Sequence, residues 1–378
     1  MVRCYLNVQQ NAFKKIYRAK DVLSDAEGTP SAQSKTFTYF FEPWRLCVLG
    51  RAIFFRLLIQ KQRKSQICLA NRPHIMKLLR RSLILTLPLL VARLCAQTFA
   101  ADRATQGVSN ALVGQEFVHT VRQGESLAGL GARFGVEVNV LAASNGLRAN
   151  ALLKEGQTLH VDNRHIVPNS LADGILINIP QRMLFHMGQG QAIHAYAVGL
   201  GRPDWPTPAG KFTVISKEEN PVWDVPKSIQ EEMRREGKVV QQRVPPCPEN
   251  PLGKHWMGLS IPGYGIHGTI APSSIYQFRT HGCIRLHPDD IAELFTAIST
   301  GTPGVLLYQR LLLARLEDRI FLEVHRDVYR KEPNPLDKLL AIVKTDNLEP
   351  LLDWEAAKKI IARQEGVARE VTKTNGLR

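Results

Sequence analysis

Three histidines and a cysteine lie close together in one segment of the sequence, GYGIHGTIAPSSIYQFRTHGCIRLHP, which spans Gly263 to Pro288. If THGCIRL is extended, its side chains alternate between two faces, and His281, Cys283 and Arg285 share one of them. The opposite face is largely apolar and consists of Thr280, Gly282, Ile284 and Leu286. Arginine is rarely buried without a partner, whereas a cation beside a thiol lowers its pKa and favours the nucleophilic thiolate. The segment therefore predicts a cysteine nucleophile at Cys283.

A cysteine nucleophile needs a base within hydrogen-bond reach, and His267 in GIHGT precedes Cys283 by 16 residues. The backbone N–H of Gly282 or of Cys283 is suited to stabilise the oxyanion that forms when an acyl carbonyl is attacked. Arg285 is suited to hold a substrate carboxylate through paired hydrogen bonds. Together these residues are consistent with nucleophilic attack by a cysteine on an acyl carbonyl.

Two other interpretations of the segment stay open on the residues alone. His267, His281, Cys283 and His287 are zinc ligands by type, but their spacing is not a common zinc pattern, and Arg285 would put a cation beside the metal. The second alternative is a purely structural cluster. His287 has a simpler interpretation as the N-cap of a helix that begins at Pro288.

The elements around this segment are predominantly strands. From Asp173 onwards, short apolar runs are separated by glycine and proline, which is typical of a β-rich domain. The stretch 227–238, KSIQEEMRREGK, predicts one charged helical insertion, interpreted as a solvated flap rather than a binding patch. After residue 305 the pattern predicts further strands and then a charged helical tail.

A separate unit precedes the β-rich region, in residues 117–161. Its pattern predicts a strand, two short helices and a second strand, with Ser126 capping the first helix and Gly135 ending it. The ends HTVRQGESL and LKEGQTLHV resemble those of the LysM module. The resemblance implies a small βααβ module that binds the N-acetylglucosamine-containing glycan of peptidoglycan or chitin.

The histidine and cysteine motifs resemble those of the L,D-transpeptidases of the YkuD type. IHGT followed by THGCIRL is similar to the family signature, with Thr280 in place of the usual serine. The blocks PTPAGKFTV, NPVWDVPKSI and PPCPENPLGKHWMGL are similar to further blocks of periplasmic members that carry a LysM-like module. Cys247 departs from the glycine that is usual in that proline-rich turn, and it raises the hypothesis of an inhibitory disulfide with Cys283.

The resemblance implies a predominantly β, sandwich-like catalytic domain with Cys283 as nucleophile and His267 as proton acceptor and donor. The residues that it implies for the oxyanion and substrate site are His281, Gly282, Arg285 and Gly268. The implied reaction attacks the bond between the diamino acid at stem position three and the terminal D-alanine, and an amine resolves the thioester. The acceptor is another stem peptide or an outer-membrane lipoprotein, and no metal or organic cofactor is implied.

Two other functions compete with this one. Cell-wall cysteine peptidases of the NlpC type also accompany LysM modules, but their cysteine precedes the histidine in the chain, whereas His267 precedes Cys283. A non-enzymatic wall-binding protein predicts loss of a catalytic residue, whereas both residues are present.

The charge distribution argues against a nucleic-acid partner. The formal net charge is +15, but residues 1–75 contribute +9 and residues 76–100 contribute +4, so the remaining chain is nearly neutral. Residues 76–100 have a basic start, a short apolar run and small residues near Ala100, which predicts a secretory signal peptide rather than a transmembrane anchor. We therefore expect export to the periplasm and association with the cell wall.

These patterns together predict a multidomain organisation. Its parts are an upstream or non-native extension without a domain (1–75), a signal peptide (76–100), a LysM-like module (117–161), a catalytic domain (172–308) and a C-terminal strand and helix extension (309–378).

Overall fold

The computed structural model describes residues 107–332 and 334–373, which belong to one compact unit. The predicted signal peptide and the segment before it lie outside the described residues. Among the described helices, none is long and apolar enough to cross a membrane.

The first part of the described chain is a strand, helix, helix, strand module, as predicted. Ser126 caps its first helix by accepting a hydrogen bond from the Gly129 N–H, and Gly135 ends that helix in the left-handed conformation, with φ of 70°. Two outer strands, β1 and β4, pair with each other beside it. The bounds in this part are β1 Leu112–Val113, β2 Glu116–Thr120, α1 Leu127–Phe134, α2 Val138–Ser144, β3 Thr158–Asp162 and β4 His165–Ile166.

The second part is predominantly β. Its bounds are β5 Gly174–Asn178, β6 Met183–Gly188, β7 Gln191–Ala197, β8 Leu200–Gly201, β9 Gly210–Glu219, β10 Trp223–Asp224, α3 Lys227–Arg235, β11 Arg243–Val244, β12 His255–Leu259, β13 Gly265–His267, β14 Phe278–Thr280, β15 Ile284–Arg285, α4 Pro288–Ala297 and β16 Pro303–Leu307. One eight-stranded sheet has the order β15-β13-β12-β9-β16-β5-β6-β7. Strands from both ends of this order, including Tyr196 of β7 and Ile284 of β15, share one apolar core, so the sheet curls around it. The predicted fold class is thereby confirmed.

The last part is a three-stranded sheet with helices packed against it. Its bounds are β17 Leu311–Leu316, β18 Arg319–Val324, α5 Pro335–Thr345, α6 Trp354–Arg363 and β19 Arg369–Glu370. An apolar cluster that includes Leu322, Leu339 and Ala357 joins the sheet to both helices.

The LysM-like module packs firmly against the β-rich part. Arg182 before β6 donates to the Glu137 carboxylate at 2.6 Å, and Arg133 of α1 donates to Asp290 of α4 at 2.9 Å. Helix α1 also packs on the short 3₁₀ turn Pro272–Ser274, which lies between His267 and Cys283 in the chain. The module is therefore fixed beside the segment that carries the predicted chemistry.

Candidate active site

Two neighbouring strands bring the predicted nucleophile and base to one face of the sheet. Strands β13 and β15 run parallel, and their register places His267 opposite Arg285. Because side chains alternate along a strand, Cys283 lies on the same face as Arg285 and therefore as His267. The alternation predicted for THGCIRL is confirmed, because Thr280, Gly282, Ile284 and Leu286 are buried while His281, Cys283 and Arg285 are partly exposed.

A tight turn before β15 holds the nucleophile. Gly282 has φ of 104°, and a Cβ atom there would lie 2.5 Å from Cε1 of Tyr264, so a side chain would be both strained and obstructed. The Thr280 hydroxyl donates to the Cys283 carbonyl at 2.6 Å and accepts from the Gly282 N–H at 3.0 Å. Thr280, which stands in place of the usual serine, thus keeps the hydroxyl that forms both hydrogen bonds of the turn. The Gly282 N–H already has a partner, whereas the Cys283 N–H has none among the described residues.

The thiol of Cys283 lies in a shielded position. Its Sγ is 3.8 Å from the carbonyl oxygen of Gly263. Burial raises the pKa of the thiol, and this effect outweighs both a backbone hydrogen bond from Gly265 and the charge of Arg285. The neighbouring cation thus lowers the thiol pKa, as predicted, but burial is the larger influence and the net direction is upward. The resting cysteine is a neutral thiol.

The His267 ring is buried and held in one orientation. Its Nδ1 lies 2.6 Å from the Gly268 carbonyl oxygen, which can only accept, so Nδ1 carries the proton and Nε2 is free to accept one. Burial, with a smaller contribution from Arg285, lowers the pKa of His267 to about 3. The ring also stacks on Trp256, with 5.7 Å between centroids. Gly268, predicted in the oxyanion or substrate site, acts in the structure as the acceptor that orients His267.

No hydrogen bond joins the His267 ring to the Cys283 thiol among the described residues. The two groups lie on one face of adjacent strands, and catalytic hydrogen bonds are often long before a substrate is bound.

Arg285 presents a guanidinium group without an anionic partner in the described part of the chain. Its Nε is buried and has no hydrogen-bond partner, and no carboxylate of the described residues pairs with it. Burial lowers the pKa of Arg285, although the group stays charged at neutral pH. A half-buried cation in this state is suited to bind an anionic group of a ligand.

His281 lies at the edge of this face and contacts the helical insertion α3. Its Nε2 is hydrogen-bonded to the Glu232 carboxylate, and its ring meets Trp205 edge-on, with 4.9 Å between centroids. Glu232 also accepts from Arg202 at 2.5 Å. Sequence reasoning missed this carboxylate, because a charged helix of this composition is typical of a solvated surface.

The remaining candidates do not form a metal site in the part of the chain that the structure describes. His287 is the N-cap of α4, as predicted, and its Nδ1 accepts from the Asp289 N–H at 3.4 Å. No group of three or more histidine, cysteine or acidic side chains gathers within metal-binding reach among the described residues. Cys247 is exposed, and both it and Cys283 are free thiols.

Comparison with known proteins identifies the class to which this fold and site belong. Residues 172–306 match the model of the L,D-transpeptidase catalytic domain, YkuD, and residues 119–162 match the LysM domain. The chain belongs to the L,D-transpeptidase family.

Its relatives include a putative L,D-transpeptidase, YqjB, of Bacillus subtilis, which is 35% identical over 38% of this chain and 72% of its own length. A probable L,D-transpeptidase, ErfK/SrfK, of Salmonella typhimurium is 29% identical over 68% of this chain and 86% of its own length. Among solved structures, the Ldtfm-avibactam carbamoyl enzyme is 22% identical, with a TM-score of 0.30, over 42% of this chain and 55% of that chain.

Proposed function

We propose that the protein is a peptidoglycan L,D-transpeptidase that uses Cys283 as its nucleophile. The observation that supports this most is the placement of Cys283, His267 and Arg285 on one face of β13 and β15. A nucleophile, an oriented base and a cation suited to bind an anion, all on one face of the sheet, are what acyl transfer from a carboxylate-bearing peptide needs.

The first half-reaction forms a thioester. The Cys283 sulfur attacks the carbonyl carbon of the bond between the position-three diamino acid and D-alanine, while the thiol proton passes to Nε2 of His267. The Cys283 N–H, free among the described residues, stabilises the oxyanion. The C–N bond then breaks, and the imidazolium returns its proton to the departing D-alanine nitrogen.

The second half-reaction transfers the acyl group. An acceptor amine attacks the thioester carbonyl and loses one proton to His267, and the C–S bond breaks as the new amide bond forms. The sulfur leaves as a thiolate and takes the proton back from the imidazolium. The acceptor amine belongs to another stem peptide, giving a 3-3 cross-link, or to a lysine of an outer-membrane lipoprotein.

Substrate binding is shared between the two matched domains. The Arg285 guanidinium binds a carboxylate of the stem peptide, because half-buried charge is stabilised when it is paired. The LysM module binds the glycan strand beside the cleft. These substrates place the protein outside the cytoplasm, at the cell wall in the periplasm, which agrees with the predicted signal peptide.

Incubation of the purified protein with tetrapeptide-stem muropeptides, followed by mass spectrometry, tests the proposal. We expect release of D-alanine and formation of cross-linked dimers, both abolished in Cys283→Ala. Cys247→Ala is the matched control, because it removes the exposed free thiol, and it should keep its turnover. Undiminished turnover in Cys283→Ala would overturn the nucleophile assignment, and release of D-alanine with water as the sole acceptor would replace transfer by hydrolysis.

A further inference from the structure

The helix α3 is held by very little apolar packing. It follows β10, which pairs with β11 in a two-stranded ribbon outside the main sheet. None of the residues of α3 is buried. Its apolar side chains, Ile229 and Met233, are only partly buried, so apolar packing contributes little to its stability. Specific polar contacts therefore contribute to holding its position.

One side chain of α3, Glu232, provides these contacts. Its carboxylate accepts from Nε2 of His281 and from Nη2 of Arg202, the latter at 2.5 Å. The Glu232 side chain is only 13% exposed, whereas its neighbour Glu231 is exposed and has no ion pair among the described residues. The hydrogen bond from Arg202 is the largest influence on Glu232 and lowers the pKa of its carboxyl group, which is therefore charged at neutral pH.

The two partners of Glu232 both belong to the surroundings of the nucleophile turn. The Arg202 N–H donates to the Thr280 carbonyl at 3.0 Å, and Thr280 in turn holds Gly282 and Cys283 through its hydroxyl. His281 is separated from Cys283 by one residue. The Glu232 carboxylate thus links helix α3 by hydrogen bonds to Arg202 and to His281 of the nucleophile turn.

We propose that Glu232 is a positioning residue for acyl transfer, which fixes His281 and the nucleophile turn and at the same time holds α3 over that turn. This inference rests on the proposed function and deepens it. The hydrogen bond between Nε2 of His281 and the Glu232 carboxylate holds the imidazole ring in one constant orientation. The ring therefore keeps one position beside the nucleophile turn for as long as the carboxylate is present.

Steady-state kinetics on Glu232→Ala, Glu232→Gln and Glu232→Asp test the proposal. We expect kcat to fall about 10- to 100-fold in Glu232→Ala, because displacement of groups near a reacting centre by about 1 Å has effects of this size. Glu232→Gln keeps an acceptor for His281 and should be intermediate, and Glu232→Asp should recover part of the loss. Glu231→Ala is the matched control and should stay within about twofold of the wild type.

Two measurements separate positioning from a general structural role. The melting temperature of Glu232→Ala should match that of the wild type, and the rate of Cys283 alkylation by iodoacetamide should change less than about threefold, since that small reagent does not use His281. Arg202→Ala combined with Glu232→Ala should be less than additive, because residues in one ion-pair network are coupled. Equal losses of melting temperature, alkylation and turnover, or full activity in Glu232→Ala, would overturn the proposal.

An activity-independent measurement distinguishes failure of this inference from failure of the proposed function. In ¹H–¹⁵N spectra of the histidine rings, His281 should show a hydrogen-bonded Nε2–H signal in the wild type, and this signal should shift or disappear in Glu232→Ala. A constant His281 signal across the variants would contradict the positioning role even if muropeptides are turned over. If no muropeptide is turned over but the His281 signal changes, the proposed function fails while the contact stands.

Discussion

Two charged side chains that are shielded from solvent, Glu323 and Arg285, differ in whether they have hydrogen-bond partners within the described part of the protein. Glu323 of β18 is fully buried and is surrounded by hydrogen-bond donors. Arg285 of β15 is half-buried and has no acceptor among the described residues. Both charges lie near histidines, so residue type alone does not distinguish them.

The Glu323 carboxylate connects three parts of the chain. It accepts from Nδ1 of His165 at 2.8 Å, from Nε2 of His325 at 2.8 Å and from the Ile166 N–H at 2.6 Å. Nε2 of His165 also lies 2.9 Å from the Gly135 carbonyl oxygen at the end of α1. A buried charge with this many partners contributes to the architecture, whereas one without partners is available to a ligand.

Among the variants that test this comparison, one that removes the Glu323 charge should have the largest effect, a loss of stability. We expect Glu323→Gln to lower the free energy of unfolding by about 3–5 kcal/mol, because it leaves buried histidine and amide donors poorly paired. Denaturant titration measures the change. Glu370→Gln breaks an exposed pair with Arg319 and should cost at most about 1 kcal/mol. Equal costs in the two variants would remove the distinction between a structural and a surface carboxylate.

Acid should weaken the Glu323 cluster in a defined pH range. Burial alone would raise the pKa of Glu323, but its contacts with His165 and His325 lower it to about 2. A carboxyl group with a lowered pKa stabilises the fold above its ordinary value near 4.5, and this contribution is lost as the pH falls towards 2. We expect the free energy of unfolding to fall by about 3 kcal/mol over that pH range. Denaturant titrations at several pH values should show this slope in the wild type and a flatter one in Glu323→Gln.

Replacing the unpaired cation should affect activity and leave stability intact. We expect Arg285→Met to reduce kcat/KM for tetrapeptide stems about 100-fold, or roughly 3 kcal/mol or less, through loss of a charged hydrogen-bonded pair. Its melting temperature should stay constant or rise, since a half-buried unpaired charge is removed. Arg279→Met is the control, because Arg279 is exposed on neighbouring β14 and should be replaceable. Loss of folding in Arg285→Met would mean that the cation is structural.

The smallest expected effect concerns the thiol itself. Because burial raises the pKa of Cys283, its alkylation by iodoacetamide should reach half its maximal rate at a higher pH than that of N-acetylcysteine. Arg285→Met should move the midpoint higher still, since Arg285 lowers the thiol pKa. Peptide mass spectrometry after timed alkylation follows Cys283 separately from the other cysteines. A midpoint below that of the free thiol would contradict the neutral resting state.

The sequence predicted the local features of the molecule well. The strand and helix order of the LysM-like module, the alternation around Cys283 and the cap at His287 all depend on neighbours within a few residues. Such features follow from backbone geometry and hydrogen bonding that short patterns encode.

The features that were missed depend on groups far apart in the chain. Glu232 and His281 are separated by 49 residues, and no periodicity links them. The net rise of the Cys283 pKa reflects burial by the whole surrounding structure, whereas the sequence displayed only the adjacent arginine, whose lowering effect is smaller. The location of the C-terminal tail also depends on tertiary packing.

Residues 367–369 contact the LysM module, which lies about 200 positions earlier in the sequence. Arg369 donates to Asp162 of β3 at 2.5 Å although 207 residues separate them, and Val367 packs into the same apolar cluster as Leu127 and Leu159. The LysM module thus acquires its full set of neighbours only after the segment around Arg369 has been synthesised. Contacts between such distant residues slow folding, so the polypeptide should remain open for longer than a chain of independent domains. A long-lived open state would prolong the exposure of the chain to proteases.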